Sequence, residues 1–104
     1  MAKYLFIYHG GAAPKSEEET KKEMDAWGAW LEGMGAAVVD GGNPVGMSVT
    51  VNSDGSRENN GGSNPASGYS LIEASDDDDA VAKAKGCPHL ASGGTIELAP
   101  TFDM

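Results

Sequence analysis

The stretch that decides the fold is Met1–Gly10, MAKYLFIYHG. Tyr4 to Tyr8 are all apolar or aromatic, a run far too short to cross a membrane and rich in residues that favour strands. Side chains alternate along a strand, so one face carries Tyr4, Phe6 and Tyr8 and the other Leu5, Ile7 and His9. Neither face turns polar before His9. A strand apolar on both sides belongs in the middle of a sheet and needs cover on both faces.

Working outward, Gly10–Pro14 is a loop, and Ser16 opens a helix expected over 16–34. Ser16 and Glu19 have capping-box spacing, and Glu17, Glu18 and Glu19 stand where the helix dipole is positive. Met24, Trp27, Leu31 and Met34 recur at helical spacing, Trp30 widens that stripe, and Gly33 or Gly35 ends the helix. Ala36–Asp40 is expected to return as a short strand beside the first. Ser48–Asn52 alternates ahead of an Asp54–Gly55 hairpin turn, and the polar stretch 56–66 is expected to be a loop. Gly68–Ala74 is the next main strand, followed by a second helix capped by Ser75, with Asp76–Asp79 in its first turn and Lys83 and Lys85 in its last. Four adjacent aspartates without spaced ligands or a central glycine are a charged helix start rather than a calcium loop. Thr95–Ala99 is the last strand, with Ile96 and Leu98 inward.

The order is β-α-β-hairpin-β-α-β over one domain, 1–104. It predicts an α+β fold with both helices on one face of a mainly antiparallel sheet. No third layer is encoded for the opposite face, so the expected cover is a second copy, making the protein a homodimer.

Composition narrows the function. Net charge is −9, from 7 basic and 16 acidic residues, which disfavours nucleic acid. No segment has the length or apolar character of a membrane span or signal peptide. The single Cys87 excludes an intrachain disulfide and fits a reducing, cytoplasmic setting; between Gly86 and Pro88 it reads as a small buried hydrophobe.

Two histidines carry the possible chemistry. His9 ends the central strand beside glycines, and Asp40 ends a strand expected to neighbour it, so His9 with Asp40 is the candidate catalytic pair. Trp27, Trp30, Tyr8 and Tyr69 are candidate walls of an aromatic pocket between the first helix and the sheet. His89 follows Cys87 and Pro88 in an expected loop; Cys-x-His offers two ligands where zinc takes about four, so no metal site and no cofactor is expected. Nucleophile-elbow, Walker and dinucleotide signatures are absent from any context that would use them.

Three segments, KYLFIYHG, WGAWLEGMGAAVVDGGNP and NPASGYSLIEASDDDDAVAKAKGCPHLASGGTIELAP, together resemble the YCII-related family, also described as DGPF-domain proteins. The resemblance implies a ferredoxin-like fold that dimerises as an α+β barrel. It also implies a small-molecule-binding module, or alternatively a small lyase, isomerase or dehalogenase-like enzyme acting on an aromatic or carbonyl compound. A His–Asp pair has been proposed as catalytic in that family. Met24 stands where many relatives carry a helix histidine, and the DGPF tetrapeptide itself is missing here.

Overall fold

The computed structural model describes residues 2–59, 62 and 64–103. Its elements are β1 (Ala2–His9), α1 (Glu17–Met34), a 3-10 turn (Gly35–Ala37), β2 (Val38–Asp40), β3 (Thr50–Val51), β4 (Arg57–Glu58), β5 (Ala66–Ala74), α2 (Asp77–Ala84), α3 (Pro88–Ala91) and β6 (Thr95–Pro100). The main sheet runs β2-β5-β1-β6 with every pairing antiparallel. β1 is therefore central: Phe6 lies opposite Ser70 of β5 and opposite Leu98 of β6.

Local sequence explains the helix ends. Ser16 is in extended conformation and its hydroxyl accepts from Glu19 N at 3.1 Å, while Glu19 Oε2 accepts from Lys15 N at 2.7 Å. Gly35 closes α1 at φ 55°, a backbone conformation that costs glycine little. The cap of α2 is Asp76, whose carboxylate accepts from Asp79 N at 2.8 Å. Ser75, the expected cap, instead donates its N–H and hydroxyl to the Asp79 carboxylate.

One face of the sheet makes the core. Tyr4, Phe6, Tyr8, Ile72 and Ala74 are buried with Ala80, Ala84 and Cys87, and Trp27, Trp30, Met34, Ile96 and Leu98 pack against them. Trp30 Nε1 donates to the Lys83 carbonyl at 2.9 Å, joining α1 to α2 above Phe6. By alternation the other face presents Leu5, Ile7, Leu71, Glu73, Glu97 and Ala99. Leu5, Ile7 and Leu71 are only half-buried, Val39 of β2 is 43 % exposed, and none of the described elements lies over them. The described chain is accordingly a thin slab, 43 × 41 × 19 Å.

Several expectations are corrected. β2 starts at Val38, because Gly35–Ala37 is still turning, and it pairs with β5 rather than β1. The Asp54–Gly55 turn is present, with Gly55 at φ 89°, but its returning strand, β4, falls inside the stretch expected to be loop. Asn60, Gly61 and Ser63 of that stretch lie outside the described residues. β3 and β4 form a separate two-stranded arm. The radius of gyration, 14.9 Å, exceeds the roughly 13 Å of a compact chain of this length, in keeping with the flat shape. His89 lies in a short helix, α3, with Pro88 at its first position, and not in a loop.

Phe6 is fully buried and Phe102 is 83 % exposed. Truncating Phe6 to alanine is expected to cost about 3–5 kcal/mol in urea unfolding, and truncating Phe102 less than about 0.5 kcal/mol.

Candidate functional site

A cavity of about 890 Å3 opens where β1 ends. One wall is α1, through Glu23, Met24, Trp27 and Leu31; the β1–α1 loop supplies Gly10–Ala13; the segment after β2 supplies Gly41–Pro44; Tyr8 and Tyr69 come from the sheet, and His89 and Ser92 from α3 and its end. The backbone reaches these places because glycines allow it. Gly42 has φ 77°, and a β-carbon there would collide with the Tyr69 carbonyl. Met24, on the helical stripe, is 69 % exposed, so this end of α1 faces the cavity and solvent rather than core.

Of the expected pocket residues, Tyr8, Trp27 and Tyr69 line the cavity. Tyr8 meets Trp27 edge-on at 5.1 Å between ring centroids and sends its hydroxyl to Ser70 Oγ at 2.8 Å; burial pushes that phenol well above its ordinary pKa. Tyr69 Oη accepts from Asn43 Nδ2 at 3.2 Å. Trp30 does not line the cavity. It packs edge-on to Trp27 and against Phe6 within the core.

His9 and Asp40 are not brought together. β5 lies between their strands, and Asp40 stands level with Leu5, four residues along from His9 and two strands across, roughly 13 Å by 10 Å. Asp40 Oδ1 accepts from Gly42 N at 2.8 Å. His9 points to the open sheet face, where Nε2 donates to Glu97 Oε1 at 2.9 Å and Nδ1 faces the Pro65 carbonyl at 3.2 Å. Two acceptors fit a ring that carries hydrogen on both nitrogens, which is the imidazolium. The Glu97 bond accordingly raises the His9 pKa, against the opposing effect of burial.

Composition and spacing missed Glu23 and Ser92, and considered His89 only as half of an incomplete metal-ligand set. His89 is nine-tenths buried and its Nε2 donates to the His9 carbonyl at 2.9 Å; Ser92 Oγ donates to Glu23 Oε1 at 3.2 Å. The available signal was the pair of double glycines, Gly10–Gly11 and Gly93–Gly94, which let two backbones close on one imidazole. Cys87 sits in the core, where burial pushes its thiol up to about 11, so it stays a protonated thiol near neutral pH. Among the described residues, no three His, Cys, Asp or Glu side chains converge as a metal site, and no helix is long and apolar enough to cross a membrane.

Comparison with family models, with curated proteins and with solved structures finds no match for this chain.

Because the folded His9 binds its proton more tightly than the unfolded chain does, its contribution to stability is fully present below about pH 6.5 and is lost as pH rises through the raised folded pKa. An NMR titration is expected to place the His9 midpoint above 6.5, and Glu97→Gln to bring it down and flatten the loss of stability with rising pH. An unmoved midpoint in Glu97→Gln would show that the ion pair does not form in solution.

Proposed function

We propose that this chain is a YCII-related, ferredoxin-like module that works as a homodimer and binds a small molecule in the cavity above Trp27. The observation that carries the reading is the cavity itself. Its volume, about 890 Å3, lies within the range of small-molecule sites, and its walls combine aromatic rings with a few polar groups. The strand order β2-β5-β1-β6, with a helix after β1 and another after β5, supports the ferredoxin-like reading. His9 is engaged with Glu97 and does not line the cavity, which favours binding over catalysis by that histidine.

The dimer has separate support. Leu5, Ile7, Leu71 and Val39 form an apolar face that the described elements leave uncovered. Two copies, each at −9, repel one another, and residues 41–53 carry no charge at all. That segment shows Val45, Met47, Val49 and Val51 at 41, 89, 51 and 72 % exposure, a second exposed apolar stripe. A cytoplasmic setting belongs to the same proposal.

Gly28 lines the cavity from α1, and a β-carbon there meets nothing within 4 Å. Gly28→Leu is expected to fill the site while favouring the helix by about 1 kcal/mol. In a thermal-shift screen of small aromatic compounds, hits should raise the melting temperature of the wild type and not of Gly28→Leu. A screen without hits, or hits that survive the filled cavity, would remove the binding reading.

A further inference from the structure

We propose that the cavity selects neutral aromatic compounds bearing a hydroxyl, and that His89 Nδ1 accepts the hydrogen of that group. This rests on the cavity being a ligand site, and it adds the chemical class of the ligand.

The first support is the state of the imidazole. Its Nε2 gives a hydrogen to the His9 carbonyl at 2.9 Å, which fixes the neutral ring as the Nε2–H tautomer and leaves a lone pair on Nδ1. Nδ1 has no hydrogen-bond partner among the described residues. No fully buried side-chain nitrogen or oxygen among them lacks a partner, so Nδ1 is open, and the space that His89 lines is the cavity. An open, unpartnered acceptor on a residue that is otherwise nine-tenths buried is a place for a donor.

The second support is that the ring cannot turn away. A β-carbon at Gly94 would overlap the imidazole, and one at Gly11 would lie 2.7 Å from Cε1 and 3.2 Å from Nδ1. Glycine at both positions lets the backbone close on the ring from two sides. Tyr8 and Trp27 hold it further, with centroids at 5.3 and 6.3 Å. The lone pair is therefore aimed before any ligand arrives, so little ordering cost falls on binding.

The third support is the rest of the lining. Tyr8 and Trp27 offer ring edges and faces to an aromatic body. Among the described residues, Glu23 is the one charged residue in the lining, its carboxylate already accepting from Ser92, and no lysine or arginine lines the cavity. An anionic ligand would find repulsion and no counter-charge, and Glu23 is already engaged by Ser92, so nothing in the lining calls for a charge on the ligand.

The test uses phenol, toluene and benzoate as probes on the full chain. Phenol and toluene have the same shape class and differ in the donor. The wild type should bind both neutral probes and not benzoate, and the ratio of phenol to toluene affinity should fall about tenfold in His89→Phe. Should that variant not fold, nitrogen-correlated NMR of the wild type gives the answer: Nδ1 should be unprotonated in the free protein, and its resonance should move with phenol and not with toluene. An unchanged affinity ratio, a protonated Nδ1, or an equal response to both probes would overturn the proposal while leaving the cavity a ligand site. Binding of neither probe would overturn both. Benzoate binding as tight as phenol would overturn the neutral class.

Discussion

The structure depends on the position of β1 between β5 and β6 with apolar side chains on both of its faces. A sheet built on such a strand loses free energy wherever a face meets water, at about 25 cal/mol for each Å2 left exposed. The helices cover only one face. Tyr4, Phe6 and Tyr8 disappear beneath α1 and α2, while Leu5 and Ile7 remain half-covered. The polar tips of the buried aromatics find partners on the covered side. Trp30 ties the two helices through the Lys83 carbonyl, Tyr4 reaches Asp77 at 2.6 Å, and Tyr8 reaches Ser70, so these three aromatics bury their rings and satisfy their polar tips.

The cavity follows from where β1 stops. Past His9 the chain enters Gly10 and Gly11, and the core has run out of sheet residues to fill the space beneath the first turns of α1. α3 closes one side by inserting His89 against the His9 carbonyl. The two histidines thus meet at a single residue of the strand end but serve opposite faces. The backbone of His9 orients His89 on the helix side, and the side chain of His9 holds Glu97 on the open side. A ring held through its Nε2 faces the cavity, and a ring paired with a carboxylate faces the surface proposed to meet a second copy.

Much of this was legible in the chain. The two-faced run Tyr4–Tyr8, the Ser16 box, the Asp54–Gly55 turn and the helical stripe each impose a period or a cap that tertiary contacts have little reason to override. Pairing was not legible. Val38–Asp40 offers three residues and no alternation strong enough to choose between β1 and β5, so the neighbour assigned to Asp40, and with it the His9–Asp40 pair, could not be read. Trp27 and Trp30 share one apolar stripe, and only the crossing of α2 sends one to the cavity and the other to the core. His89 was hidden because its role depends on backbone approach at Gly11 and Gly94, which spacing along the chain does not encode.

The central claim is that the open sheet face is closed by a twin chain. Sedimentation equilibrium of the wild-type protein measures this directly. The account requires a particle of twice 10.7 kDa at micromolar concentration. A folded particle of 10.7 kDa throughout that range would contradict it.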